Sequence, residues 1–191
     1  FYYRVWRWIV TALVNVLFRF RVSGREHVPR SGKLIVVANH ESFLDPPVIA
    51  AAVPRELNFM AKAELFEKPL LAGFIRSLNT FPVHRGARDL SAIKHAISLL
   101  KAGKVLLIFP QGTRGRSMDE AEDGAAFLIK KTGAPVLPLK LIGTDKALPP
   151  DGSKPVPGTR VDVRIGALLE FHPDDDIASI TRRLVEALKS I

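Results

Sequence analysis

From residue 31 onward, short apolar runs alternate with longer segments of helical periodicity, and this alternation constrains the fold more than any other feature. Six candidate strands are rich in Val, Ile and Leu without strict polar alternation: 34–38, 59–61, 80–83, 104–109, 135–142 and 160–165. Five segments have helical patterns: 46–52, 64–78, 90–101, 120–131 and 176–188. Strands that are apolar throughout are typical of a sheet covered on both faces. The sequence therefore predicts one α/β domain over residues 31–191, a mostly buried mixed sheet flanked by helices.

The amino-acid composition excludes several classes of function and favours one kind of partner. The 191 residues contain no cysteine, which excludes a disulfide scaffold, a thiolate nucleophile and any cysteine-based metal site. A net charge of +9 suggests nucleic acid or an anionic surface as a partner, yet the mean hydropathy of +0.13 is apolar for a freely soluble basic protein. Together these values favour association with a membrane surface.

The basic charge is concentrated near the start of the sequence. Residues 1–30 contain six arginines and one acidic residue. Over residues 1–20 the polar side chains form a stripe of roughly 120° on a helix that is otherwise apolar: Arg4, Arg7, Thr11, Asn15 and Arg19. The apolar run is shorter than the ~20 residues that span a bilayer. We therefore predict that residues 1–30 are a basic amphipathic helical segment lying in the plane of a membrane, the alternative being a helix packed on the protein's own core.

A candidate catalytic pair follows the first strand of the α/β domain. His40 and Asp45 lie on the turn between the strand and a proline-started helix, where ligands bind in open α/β sheets. Asp45 could accept a hydrogen bond from one ring nitrogen of His40 and leave the other to take a proton from a hydroxyl. Alternatively, Asp45 before Pro46 caps the helix, and His40 is an ordinary histidine at a strand end.

Four blocks in order give this pair a context. They are Asn39-His40-Glu41-Ser42-Phe43-Leu44-Asp45-Pro46; Lys62-Ala63-Glu64-Leu65 with Phe81-Pro82-Val83-His84-Arg85; Phe109-Pro110-Gln111-Gly112-Thr113-Arg114; and Ala134-Pro135-Val136-Leu137-Pro138-Leu139. In this order they resemble the motifs of the 1-acylglycerol-3-phosphate acyltransferase (lysophosphatidic acid acyltransferase) family, within the glycerolipid acyltransferases.

The resemblance implies an enzyme of phospholipid biosynthesis. It would transfer a fatty acyl group from a thioester of coenzyme A or acyl carrier protein to the free hydroxyl of lysophosphatidic acid, giving phosphatidic acid. His40 would be the general base and Asp45 the residue that orients it. No resident cofactor or metal is expected, and the protein would work on the cytoplasmic face of a membrane as a monotopic or peripheral protein.

The acceptor phosphate needs cationic partners. Arg85 and Arg114 each follow a predicted strand end, where a guanidinium can bind phosphate through two hydrogen bonds, and the resemblance assigns them that role. Gly112 and Thr113 would allow backbone N–H groups to approach the same anion. Lys62 is a further candidate, with a salt bridge to Glu64 or a lipid headgroup as the alternative.

The sequence departs from the family pattern at two of these positions. Gln111 replaces the usual glutamate, so that an amide is the expected substrate-binding group there and the choice of acceptor is affected. His84 stands where an acidic residue is common, and we do not expect it to be catalytic.

Other function classes have less support. The sequence has no phosphate-binding glycine motif of the kinds found in nucleotide enzymes, and its five histidines have no paired spacing suited to a metal. The remaining alternatives are acyl transfer to another lysophospholipid or to glycerol 3-phosphate, or a non-catalytic module that binds anionic lipid. Nucleic acid is not expected as a partner, because the aromatic residues of the basic segment belong to an apolar helix.

Overall fold

The computed structural model describes residues 2–84, 89–151 and 154–191, and these residues form one sheet of seven strands. In chain order the strands are β1 (Arg19–Ser23), β2 (Leu34–Ala38), β3 (Leu57–Lys62), β4 (Thr80–Val83), β5 (Val105–Ile108), β6 (Val136–Ile142) and β7 (Arg160–Ile165). Their order across the sheet is β1-β7-β6-β2-β5-β3-β4. Neighbouring strands are parallel except β6 and β7, which are antiparallel. The predicted α/β class with a mixed sheet is confirmed.

The carboxyl ends of five parallel strands meet at one edge of the sheet, which we call the carboxyl edge. Strands β2 and β5 lie near the middle, and all of their residues are buried, as continuous apolar runs predict. Strand β2 ends at Ala38, so the motif that begins at Asn39 emerges from the centre of the carboxyl edge. Because β7 is antiparallel to β6, strand β7 begins at this same edge with Arg160.

Helices cover both faces of the sheet. They are α1 (Tyr2–Leu17), α2 (Asp45–Ala52), α3 (Pro69–Ser77), α4 (Leu90–Lys101), α5 (Gly124–Thr132), α6 (Thr144–Ala147) and α7 (Ile177–Ser190). Helices α1 and α2 pack on the face that carries Val36, Leu139 and Val163, here called the α1 face. Helices α4, α5 and α7 pack on the opposite face, the α4 face, which carries Ile35 and Leu106.

Two predicted helices are shorter than their sequence patterns. The predicted helix over 64–78 is a 3-10 turn at Ala63–Phe66 followed by α3, because Lys68 is extended before Pro69. The predicted helix over 120–131 begins only at Gly124, after a separate 3-10 turn at Met118–Glu120. The remaining predicted helices and strands agree with the structure to within a few residues.

The N-terminal segment is not helical throughout, in contrast to the prediction for residues 1–30. Helix α1 ends at Leu17, and the chain then forms β1, a parallel edge strand beside β7. Arg19 fits the polar stripe of a helix, but it also fits the alternating pattern of an edge strand. In β1, Arg19 and Arg21 are exposed and Phe20 between them is half-buried. Residues 19–23 therefore belong to the sheet. That residues 1–30 associate with a membrane stays a prediction.

Helix α1 has two apolar sides. One side packs on the α1 face through Tyr3 and Val14, so the core-packing alternative is correct for that side. The adjacent side is exposed: Trp8 is 75% and Val16 is 83% accessible to solvent. The wide apolar arc in the sequence therefore reflects one buried stripe and one stripe that no described residue covers.

A buried hydrogen bond holds the start of α1 to the sheet. The Tyr3 hydroxyl accepts from the Leu57 backbone N–H at 3.1 Å, and burial raises the pKa of Tyr3 from 10.0 to about 12. Among the described residues, no helix is both long enough and apolar enough to cross a membrane.

We expect Tyr3→Phe to lower the free energy of unfolding by about 1–3 kcal/mol, because it leaves the buried Leu57 N–H without an acceptor. Urea denaturation at pH 7 measures this loss, and Val16→Ala on the exposed side is the control, with a change within about 0.5 kcal/mol. Since folding raises the pKa of Tyr3, the wild type should lose stability between pH 10 and about 12, and the variant should lose less. Equal stability of Tyr3→Phe and wild type at pH 7 would show that the hydrogen bond does not anchor α1.

Candidate active site

His40 and Asp45 are in direct contact at the carboxyl edge. The Nδ1 atom of His40 lies 2.8 Å from Oδ2 of Asp45. The aspartate is fully buried, whereas the His40 side chain is 14% exposed. Within the described part of the chain, Nε2 of His40 has no hydrogen-bond partner. This arrangement orients the ring through Nδ1 and leaves Nε2 for an external hydroxyl.

Asp45 does not act as a helix cap. It is the first residue of α2, and Leu44 occupies the N-cap position without a side-chain hydrogen bond. Oδ2 of Asp45 instead accepts from the backbone N–H groups of Glu41 at 2.7 Å and Ser42 at 2.8 Å, both in the turn before the helix. The carboxylate therefore organises the turn that carries His40, and the capping alternative is wrong.

A second loop fixes His40 from the β5 side. The Phe109 ring stacks on the imidazole with centroids 4.0 Å apart and planes 14° from parallel. The His40 N–H donates to Oε1 of Gln111 at 2.6 Å, and the His40 carbonyl accepts from the Gly115 N–H at 3.1 Å. Nε2 of Gln111 donates to the Arg116 carbonyl. The Gln111 side chain is thus used to join two loops, and its predicted contact with substrate stays a prediction.

Two further motif residues anchor the turn, although the sequence analysis gave them no role. Asn39 exchanges hydrogen bonds with the backbone of Leu141, at 3.0 Å to the carbonyl and 2.7 Å from the N–H. The Ser42 hydroxyl donates to the Leu148 carbonyl at 2.6 Å. Both residues belong to the same motif block as His40 and Asp45, and this could have identified them. Asn39 thus joins the β2–α2 turn to β6 itself, and Ser42 joins it to the chain that follows α6.

The three cationic candidates for phosphate binding differ in their surroundings. Arg85 lies outside the described residues. The Arg114 guanidinium lies over the Phe43 ring, 3.3 Å from the centroid, and its Nη1 atom is buried without a hydrogen-bond partner in the described chain. Such a nitrogen is well suited to an anion, because burial without a partner is costly. Lys62 is exposed at the end of β3, and no carboxylate of the described residues, Glu64 included, lies within 4.0 Å of its ammonium.

The backbone of Gly112 and Thr113 does not present free donors. The Gly112 N–H donates to the Phe109 carbonyl at 3.1 Å, and the Thr113 N–H donates to the Gln111 carbonyl at 2.7 Å. That these residues contact the phosphate stays a prediction. Glycine is favoured at 112 for another reason: its φ of +66° lies in the left-handed region, which residues with a Cβ rarely adopt.

Asp89 caps α4 and also accepts a hydrogen bond from His84. Its carboxylate accepts from the His84 N–H at 2.9 Å and from the Ser91 and Ala92 N–H groups at the start of α4. These hydrogen bonds hold the pKa of Asp89 well below its usual range. This role of Asp89 was not predicted, although an aspartate immediately before a helical pattern is a recognised cap signal.

Two cavities flank the His40 turn. An apolar cavity of about 360 Å³ is bordered by Phe109 and extends between α4 and α5 past Ala92, Ala96 and Leu128. An open, basic cavity of about 920 Å³ lies beside Asn39 and Gln111. In the described part of the chain, no group of three or more His, Asp or Glu side chains could hold a metal ion. The site thus offers a base, an apolar recess and a cationic recess.

The family model described as "Acyltransferase" matches residues 19–142, which include every motif and both loops of this site. The chain belongs to the acyltransferase family. The solved 1-acyl-sn-glycerophosphate (LPA) acyltransferase from Thermotoga maritima is similar, with a TM-score of 0.80 and 27% identity over 98% of this chain and 77% of that one.

Two curated relatives of this acyltransferase have different names. A 1-acyl-sn-glycerol-3-phosphate acyltransferase from Bacillus subtilis is 30% identical over 62% of this chain and 60% of its own length. A lyso-ornithine lipid O-acyltransferase from Pseudomonas aeruginosa is 32% identical over 97% of this chain and 77% of its own. The chain thus spans less than two thirds of the Bacillus subtilis relative.

We expect Asp45→Asn to reduce acyl-transfer turnover by roughly 10²–10⁴-fold, because the amide cannot stabilise a proton on His40 as a carboxylate does. Thermal unfolding is measured in parallel, since weaker acceptance from the two turn N–H groups also lowers stability. A folded variant with normal turnover and a lower melting temperature would mean that Asp45 is needed only for the structure of the turn.

Proposed function

We propose that this protein transfers a fatty acyl group from a thioester to the free hydroxyl of 1-acyl-sn-glycerol 3-phosphate and so forms phosphatidic acid. The observation that carries the proposal is the His40–Asp45 pair, in which Nε2 of His40 has no partner in the described chain. Phe109, which stacks on the imidazole, borders the apolar cavity. The names of the Bacillus subtilis and Thermotoga maritima relatives support this acceptor.

The chemistry follows from the pair. Nε2 of His40 takes the proton of the acceptor hydroxyl as its oxygen attacks the thioester carbonyl carbon. Asp45 accepts the Nδ1–H and stabilises the imidazolium while the new C–O bond forms. The C–S bond then breaks, and the leaving sulfur receives the proton from His40. The products are the new ester and the free thiol of the carrier.

No enzyme nucleophile is needed in this scheme. A thioester is already activated, and the sequence has no cysteine. Ser42 is the hydroxyl of the motif, but it is buried and donates to the Leu148 carbonyl, with no bond to His40. A covalent acyl-enzyme would therefore require the turn to be rebuilt, whereas direct attack uses the geometry as it stands.

Binding is divided among three regions in this proposal. Arg114, with Arg85, binds the acceptor phosphate; the unpartnered Nη1 of Arg114 supports its part. The apolar cavity takes an acyl chain, and the small side chains of Ala92 and Ala96 leave room for it. The donor is an acyl thioester of coenzyme A or acyl carrier protein, used as a co-substrate.

A second acceptor is favoured by one relative. The lyso-ornithine lipid O-acyltransferase of Pseudomonas aeruginosa aligns with 97% of this chain. Such an acceptor differs from lysophosphatidic acid in its headgroup but requires the same removal of a proton from a hydroxyl. The two candidates therefore share His40 and Asp45 and differ in their need for Arg114.

Helix α1 places the site at a membrane in our proposal. Its exposed apolar side includes Trp8, Leu13 and Val16, and the exposed Arg4 lies on its polar side. Tryptophan and arginine are suited to the headgroup layer, and each basic residue near an anionic surface contributes about 1 kcal/mol. The helix would lie flat on the cytoplasmic face and give His40 access to a single-chain lipid.

We expect wild-type protein to convert lysophosphatidic acid and an acyl thioester to phosphatidic acid, and His40→Ala to reduce kcat by roughly 10² or more. Mass spectrometry of the products from a panel of lysophosphatidic acid, other lysophospholipids, glycerol 3-phosphate and lyso-ornithine lipid identifies the acceptor.

The matched control is His172→Ala. His172 also faces a carboxylate, that of Asp174 at 3.2 Å, but it is 72% exposed and lies outside the four blocks. Normal turnover in folded His40→Ala would overturn the role of His40. Lipid binding without any product from the panel would favour the non-catalytic alternative.

We expect the triple substitution Trp8→Ser, Leu13→Ser and Val16→Ser to weaken sedimentation with phosphatidylglycerol vesicles by about 100-fold, because three apolar groups no longer enter the interface. Point substitutions are preferable to deletion of residues 1–20, which would also remove the core residues Tyr3 and Phe18. Leu168→Ser, an exposed apolar site outside α1, is the control. Unchanged vesicle binding by the folded triple variant would place the membrane contact elsewhere.

A further inference from the structure

The basic cavity of about 920 Å³ has no role in the mechanism above. It lies between the β6–β7 strands and the loop that follows Gln111, and six cationic side chains line it: Arg116, Lys140, Lys146, Arg160, Arg164 and Lys189. Three carboxylates, those of Glu41, Asp145 and Asp162, also border it. Asn39 and Gln111 belong to both this lining and the supports of the His40 turn, so the cavity begins next to the catalytic pair.

Strand register places its cations on one face of the sheet. Lys140 of β6 lies directly opposite Arg164 of β7. Their neighbours Leu139, Leu141 and Val163 point the other way and are buried under α1 and α2. Because strand side chains alternate between faces, Lys140 and Arg164 lie on the opposite side of the sheet from α1.

Half of these cations are paired and half are not. Arg160 binds Asp162 at 2.7 Å, Lys189 binds Asp119, and Arg116 lies 3.6 Å from Glu120. In contrast, no carboxylate of the described residues lies within 4.0 Å of the side chains of Lys140, Lys146 or Arg164, which also line the cavity.

The unpaired set is unfavourable without a ligand. Like charges directly opposite each other on neighbouring strands repel, as for Lys140 and Arg164. An anion with several charges would remove this repulsion and would use all three unpaired cations. The residues of this cavity, apart from Asn39, Glu41 and Gln111, lie outside the four blocks of the motif.

We propose that this cavity binds the phosphate groups of the nucleotide part of a coenzyme A thioester, and the proposal rests on the function proposed above. Coenzyme A has three phosphates, and a cavity of this volume is within the range of small-molecule sites. The position next to His40 lets the pantetheine arm bring the thioester to Nε2 while the nucleotide stays in the cavity.

The acceptor lipid is a poorer occupant for this cavity. The exposed apolar side of α1 is on the other face of the sheet, so a lipid phosphate at the α1 side would be separated from Lys140 and Arg164 by the sheet itself. A concave recess also fits a nucleotide better than the surface of a carrier protein. The geometry therefore assigns the recess to a water-soluble donor.

The test compares two double variants. The first combines Lys140→Gln and Arg164→Gln, and the second, the control pair, combines Arg30→Gln and Lys104→Gln. The control removes the same charge from exposed positions that precede β2 and β5, at the opposite edge of the sheet. Calorimetry measures binding of coenzyme A and of adenosine 3′,5′-bisphosphate to each pair in a His40→Ala background, in which no turnover interferes. Kinetics with active enzyme then compare acyl-coenzyme A with S-acylpantetheine, which lacks the nucleotide.

We expect the double variant to bind adenosine 3′,5′-bisphosphate about tenfold or more weakly, as loss of charge-assisted hydrogen bonds implies, and the control pair to bind it normally. The ratio of kcat/KM for acyl-coenzyme A to that for S-acylpantetheine should fall by a similar factor. Circular dichroism confirms that both pairs are folded.

Equal binding by the double variant and the control pair would overturn the proposal. A rise in KM for the lysolipid alone would assign the cavity to the acceptor phosphate, and a defect seen only with acyl carrier protein would assign it to a protein donor; both results contradict the proposal. Because the binding assay needs no turnover, intact nucleotide binding in a protein that transfers no acyl group would refute the proposed reaction and not the site.

Discussion

The buried carboxylate of Asp45 is the interaction on which the candidate site depends. One oxygen, Oδ2, accepts from the His40 ring and from two backbone N–H groups of the same turn, and the other has no partner in the described chain. A buried anion is costly unless it is well bonded. The surrounding structure provides this compensation: β2 ends in the centre of the sheet, α2 begins at Asp45 itself, and Phe109 covers the imidazole.

The alternation of side chains along β6 and β7 separates two environments. Leu139, Leu141 and Val163 complete the core beneath α1, while Lys140 and Arg164 face the opposite side, where the basic cavity lies. One mixed sheet can thus hold an apolar helix on one face and an anion-binding recess on the other, with His40 at the edge between them. The antiparallel β7 is essential to this arrangement, because it brings Arg160 to the carboxyl edge.

Sequence patterns predicted most of this structure because much of it is locally determined. Continuous apolar runs such as Leu34–Ala38 identified the central strands, and the motif identified His40 and Asp45. Sequence patterns gave wrong predictions where tertiary contacts determine the secondary structure or the burial of a segment. Arg19–Ser23 forms a strand because β7 offers a free edge, and the helical stripe of α1 concealed that one apolar side is buried through Tyr3.

The cavity cations escaped sequence analysis for a related reason. Lys140 and Arg164 are 24 positions apart, and only the antiparallel register makes them neighbours. Nothing local distinguishes either residue from the many other basic side chains of the protein. Asp89 was different, because its capping pattern is local and could have been recognised.

Gln111 shows how one substitution within a motif can fit a site without changing its geometry. Its Oε1 accepts from the His40 N–H, a role that a glutamate oxygen could fill equally well. Its Nε2 donates to the Arg116 carbonyl, which an ionised glutamate could not do, because two acceptors would then face each other. The side-chain amide of Gln111 therefore holds the loop between Gln111 and Arg116 together through a hydrogen bond within the protein. Arg116 borders the basic cavity, so the same bond also holds one of its walls. A neutral residue at this position adds no negative charge beside the recess, which suits a site that must attract phosphates.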